Sequence, residues 1–161
     1  MADPALKEFL AKTPFFGGLA GTPVFDRLAE MLRDREFKKG AVVLREGETG
    51  TSMYIVRSGA LYATRKCEDG SEVRMLLFRP GDFVGVTTLI EMEPRPFACV
   101  AEKDSLLYEL TNMDLYKLYK EDLRGYTLLL QNVSRDLCRR LRKAAKRISA
   151  LEDHIHELQK K

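Results

Sequence analysis

The spacing of apolar positions changes twice along the chain, from helical to alternating and back to helical. Residues 1–34 read as a flap of short helices with clear start signals, Asp3-Pro4 before a helix over 5–10 and Thr22-Pro23 before one over 24–33. Thr13-Pro14 and Gly17-Gly18 break the chain between them, and Phe15 and Phe16 lie in the break, where paired aromatics anchor a flap on a neighbouring core. From 35 to 111 the pattern shortens to runs at 41–44, 53–56, 60–65, 73–78, 97–101 and 106–110, with glycines 40, 47, 50, 59, 70 and 81 between or beside them. Such closely spaced strands predict a mainly β fold, an eight-stranded jelly-roll barrel with flanking helices, and closure of the barrel removes exposed edges. Residues 112–161 turn helical again. Thr111 with Asp114 reads as a capping box, Leu115, Leu118 and Tyr119 share a face, and Gly125 is expected to interrupt the chain before a long helix from about Tyr126 to near the end.

Composition narrows the class of function. The 161 residues are 45% hydrophobic and 32% charged, enough apolar material for one globular domain with an extension. A net charge of +3, from 27 basic and 24 acidic residues, is too balanced to mark the whole chain as a binder of nucleic acid or membrane. Cys67, Cys99 and Cys138 are widely spaced and odd in number, which predicts a reduced, cytoplasmic protein without a disulfide framework or zinc site. The N-terminus lacks a signal-peptide pattern, and no run of about 18 apolar residues predicts a membrane span. His154 and His156, the only histidines, lie on different faces of one helix. They make a poor metal pair and leave the barrel without a Ser-His-Asp or Cys-His constellation, so a non-enzyme is expected.

The candidate chemistry lies between Gly81 and Val100. A glycine lets the backbone approach a phosphate, and a following helix start presents free N–H groups to it; Gly85, Val86, Thr87, Thr88 and Leu89 have that layout. Arg95, the only Arg or Lys between Arg79 and Lys103, is the cation expected to complete the site. By itself this cluster lacks both Walker and dinucleotide spacing. Taken with Phe15-Phe16-Gly17-Gly18-Leu19, Lys39-Gly40, Glu46-Gly47-Glu48, the run from Met53 to Gly59 and Arg79-Pro80-Gly81-Asp82-Phe83-Val84-Gly85, it resembles the cyclic nucleotide-binding domain family of catabolite activators and regulatory subunits of cyclic AMP-dependent kinase.

The resemblance spans about residues 10 to 145 and implies a jelly roll flanked by helices. It also implies a ligand, cyclic AMP or cyclic GMP, held at 85–89 with Arg95, Pro96 and Ala98, and no other cofactor. Counting forward from Leu89 puts Arg95 in the family's arginine position, whereas counting back from Ala98-x-Val100 puts Pro96 there. The family places Glu after the glycine to take the ribose 2'-hydroxyl, and this chain has Val86. Loss of that charge-assisted bond costs about 1.5 to 3 kcal/mol.

On the last helix Leu130, Val133, Leu137, Leu141, Ala144, Ile148, Leu151, Ile155 and Leu158 form an apolar stripe. Ile at two a positions and Leu at two d positions predict a parallel coiled-coil homodimer, with Arg147 and Glu152 pairing between chains. The step from Leu137 to Leu141 reads as a stutter. Arg135, Arg139, Arg140, Arg142, Lys143, Lys146 and Arg147 overlap the heptads instead of preceding them, unlike a basic zipper, which favours a solvated face or an acidic protein partner over DNA. The leading expectation is a regulatory module that senses a small anion and signals through this helix to a partner. No winged helix-turn-helix of the kind a typical bacterial activator carries is expected in this module. The rivals are a scaffold that binds no cyclic nucleotide and a DNA binder acting through the basic helix.

Overall fold

The computed structural model describes residues 3–91 and 93–160, and the side chains of all of these except Thr88 and Leu89. Among the described residues, no helix is long and apolar enough to cross a membrane.

Two capped helices open the chain. In α1 (Pro4–Ala11) the Asp3 carboxylate accepts from the Ala5 amide, and in α2 (Pro23–Met31) the Thr22 hydroxyl accepts from Phe25 N–H at 3.3 Å. A single 3-10 turn, Pro14–Phe16, lies between them and buries both phenylalanines completely. Their rings meet edge to face at 5.1 Å, and Phe15 meets Phe83 the same way at 5.2 Å, so the turn is anchored on the core as the sequence suggests.

The β region consists of β1 (Arg33–Phe37), β2 (Val42–Leu44), β3 (Ser52–Ser58), β4 (Leu61–Lys66), β5 (Glu72–Phe78), β6 (Phe83–Val84), β7 (Ala98–Ala101) and β8 (Ser105–Thr111). They form two four-stranded sheets with antiparallel pairing, in the orders β1-β8-β3-β6 and β2-β7-β4-β5. Alternation along β3 separates two cores. Met53 and Ile55 join Phe15, Phe83, Tyr108 and Leu110 under the helices, while Val56 faces Leu61, Ala63, Cys99 and Leu107 in the other cluster.

Three helices complete the chain: α3 (Val86–Glu91) between β6 and β7, then α4 (Asn112–Glu121) and α5 (Leu123–Gln159). The Thr111–Asp114 capping box forms. The Asn132 amide, 5% exposed, donates to the carbonyls of Phe15 at 3.1 Å and Gly17 at 2.7 Å and ties α5 to the first turn.

Several expectations are corrected. The second helix stops at Met31, and Arg33 begins a strand. The charged run Arg33-Asp34-Arg35-Glu36 has the look of a solvated helix end. Pairing with β8 decides otherwise, reinforced by Arg33–Asp114 and Arg35–Glu109 ion pairs of 2.8 Å. Gly125 does not interrupt the chain. It sits inside α5, where a Cβ would come within 2.4 Å of Val24, and the break falls at Asp122, which caps α5 through the Gly125 amide. The pair Phe83–Val84, not anticipated as a strand, is recruited by β3. Val133, expected in the dimer stripe, is 2% exposed because α5 lies on its own core there; Leu137 packs against the same cluster.

Candidate ligand-binding site

Register in the first sheet sets the site. β6 pairs with β3 through Tyr54–Val84, which brings the next residue, Gly85, against the Ser52 carbonyl. Gly85 has φ of +81°, and a Cβ there would lie 3.1 Å from Ser52 O and 2.7 Å from Arg95 Nη1. Only glycine suits that position. Facing it, the loop after β2 turns back on residue 95: Gly47 N–H donates to the Arg95 carbonyl at 2.9 Å, and Arg95 N–H donates to the Glu48 carbonyl at 3.0 Å. The same loop puts Gly50 so close that a Cβ would meet Arg95 Nη2 at 2.0 Å.

The guanidinium of Arg95 therefore points inward, between Gly50, Ser52 and Gly85, and the residue is 6% exposed. Nη2 donates to the Ser52 carbonyl at 2.9 Å, while Nη1 is buried without a partner among the described residues. Burial lowers its pKa below the ordinary arginine value, opposed by Tyr54, Glu48 and Cys99. Burial also pushes the Cys99 thiol up to about 12. Further along the same sheet, Tyr54 Oη donates to Glu109 at 3.3 Å and Arg35 Nε to the other oxygen of Glu109 at 2.9 Å, so this carboxylate already has partners.

On the other side of Gly85 lies an open cavity of about 740 Å³, bordered by α5. Val73, Met75, Leu76 and Phe78 of β5 form one wall, Val84 to Thr87 with Pro96 and Phe97 the floor, and Leu137, Leu141, Ala144, Ile148 and Leu151 of α5 the other wall. Two arginines pin the helix across it. Arg140 donates to the Phe83 carbonyl at 2.7 Å, pairs with Asp136, and stands over the rings of Phe83 and Phe78 at 4.8 and 5.4 Å. Arg147 donates to the Met75 carbonyl at 2.7 Å, so it is engaged within its own chain, where the heptad pattern expects Glu152 of a second copy.

Of the residues expected at the site, Gly85, Val86, Thr87 and Pro96 line the cavity, and Arg95 stands behind Gly85. Ala98 lies in β7, paired with Thr64, and lines neither. The contributions expected of Thr88 and Leu89 lie outside the described side chains. Val86 is 4% exposed and belongs to the helical-side core with Phe83 and Leu129. Gly50, Ser52 and the apolar wall of β5 were not expected. The run Met75-Leu76-Leu77-Phe78, which breaks strict alternation, carries the only sequence signal for that wall.

The match to known proteins agrees with this architecture. Residues 34–122 match the model of the cyclic nucleotide-binding domain. The cyclic AMP receptor protein of Thermus thermophilus is 30% identical over 132 residues, covering 82% of this chain and 59% of that protein. A crystal structure of the Thermus thermophilus catabolite activator protein superposes with a TM-score of 0.74 at 29% identity, covering 87% of this chain and 63% of that one. The regulatory subunit of a cAMP-independent protein kinase A from Trypanosoma brucei superposes with a TM-score of 0.65 at 26% identity, covering 80% and 45%. The chain thus spans about three fifths of the length of the first bacterial relatives it matches. With its glycine turns, its inward arginine and the long helix along the cavity, this chain belongs to the cyclic nucleotide-binding domain family.

Proposed function

We propose that this chain is a non-catalytic regulatory module in which a small organic anion at the Gly85–Arg95 site biases the packing of α5, and α5 passes that bias to a second copy and a protein partner. The buried, unpaired Nη1 of Arg95 carries the reading. A sealed guanidinium nitrogen without an acceptor is costly, and an anion at the Gly85 turn relieves that cost. α5 is placed to respond, since it forms one wall of the cavity of which Gly85 forms part of the floor. A ligand shifts such an equilibrium only by binding one helix position more tightly than the other. Beyond Leu137 the stripe at Leu141, Ile148, Leu151, Ile155 and Leu158 is solvent-exposed, which supports pairing with a second copy.

Thermal unfolding with cyclic AMP, cyclic GMP and inorganic phosphate tests the site. At least one of these anions is expected to raise Tm in the parent protein and not in Arg95→Gln. No shift with any of them, nor with an organic carboxylate such as decanoate, at millimolar concentration rejects anion sensing. The scaffold reading then takes its place, favoured by one observation: Val86 is packed into the core where the family resemblance implies a carboxylate.

A further inference from the structure

The cavity beside Gly85 is chemically one-sided. Its described lining contains no Asp or Glu, a single hydroxyl at Thr87, and otherwise aliphatic and aromatic side chains with Arg140, Lys143 and Arg147. A cyclic nucleotide brings a ribose hydroxyl and the polar edge of a base, and these walls offer few groups to satisfy them. Unmatched polar groups transferred out of water lose affinity steeply. The positive groups point the other way. Arg140 and Arg147 are engaged with backbone carbonyls, whereas among the described residues the Lys143 side chain has no ion-pair or hydrogen-bond partner and Arg95 Nη1 is buried without an acceptor. Gly85 stands between the two, lining the cavity on one side and facing Nη1 on the other.

Building on the anion-sensing reading, we infer that the ligand is an amphipathic organic acid, with its anionic head at the Gly85–Arg95 turn and an aliphatic or aromatic body in the cavity between β5 and α5. The volume of about 740 Å³ falls in the range of small-molecule sites and accommodates a body much larger than a phosphate. Val86 is then suited to its place: it extends the apolar floor where a carboxylate would repel the acid and demand a polar partner.

Titration calorimetry with decanoate, decanol and cyclic AMP decides the class. Decanoate is expected to bind at least about tenfold more tightly than cyclic AMP, which lacks matched partners, and than decanol, which lacks the head. Ala144→Phe, which fills the cavity from an exposed helix position, and Leu76→Trp, which fills it from the strand, are each expected to remove decanoate binding while circular dichroism shows the fold retained. Arg95→Gln is expected to reduce decanoate to the level of decanol. Cyclic AMP binding as tightly as decanoate overturns the ligand class and leaves anion sensing standing. Decanoate binding that survives both fillings, or that decanol equals, overturns the class as well. Failure of decanoate, cyclic AMP and inorganic phosphate alike removes the anion-sensing reading itself.

Discussion

Replacing Arg95 by Met is expected to leave the unliganded protein at least as stable as the parent in chemical denaturation, and to abolish its response to anions. The substitution removes a buried cation with one unsatisfied nitrogen and keeps the side-chain length, and exchanges of buried charge for apolar groups are often neutral or stabilising by about 1 to 4 kcal/mol. A clear loss of stability would show that the Ser52 contact, and not ligand capture, explains the residue. Cys99, next to it, is fully buried with its thiol pushed up to about 12 by burial, whereas Cys67 and Cys138 are exposed. Iodoacetamide on the folded protein is expected to modify Cys67 and Cys138 and spare Cys99, as read by peptide mass spectrometry. Gly85 was legible in the sequence because glycine has few substitutes where the backbone is tight, and Arg95 because no other Arg or Lys lies between Arg79 and Lys103. Gly50 and Ser52 were not, since only folding brings them to the guanidinium.

Contacts between elements make sharper tests. Gly125→Ala puts a Cβ within 2.4 Å of Val24 Cγ2 and is expected to cost about 1 to 3 kcal/mol despite alanine's better helix propensity. Adding Val24→Ala is expected to recover part of that loss, a coupling that a double-mutant cycle measures. At the join of β8 and α4, burial raises the Asp114 pKa, but hydrogen bonds from Arg33 and Thr111 outweigh it and hold the carboxyl below its ordinary value. A depressed carboxylate contributes stability above its unfolded pKa and loses it as pH falls through the folded one. Stability is therefore expected to drop below about pH 4, with a shallower fall in Asp114→Asn, as followed by urea midpoints across pH. The capping box was readable from Thr111 and Asp114 alone, being local. β1 was not, since its partner β8 is about seventy residues away and its own residues are mostly charged.

For the molecule as a whole, the exposed stripe on α5 is the dominant unmet demand. Leu141 is 71% exposed and Ile148 60%, and no described residue of the chain covers them. Light scattering is expected to give the mass of a dimer, and Ile148→Asp with Leu151→Asp to give a monomer with unchanged β-sheet signal. A monomeric parent at about 100 μM would reject this assembly. Leu141, Ala144, Ile148 and Leu151 also line the cavity, so a ligand there and pairing of α5 would share side chains, and their affinities are expected to be coupled.

The β character of the middle, the helices at both ends, the caps and the turn glycines followed from the sequence by itself, because period, capping and positive φ are local demands that a few neighbouring residues satisfy. Which way Arg95 points, that Val133 lies in the chain's own core, and that β5 and α5 flank an apolar cavity were decided only by the tertiary structure. Each depends on packing between segments far apart in sequence, and an apolar stripe reads the same whether its own barrel, a ligand or a second copy covers it.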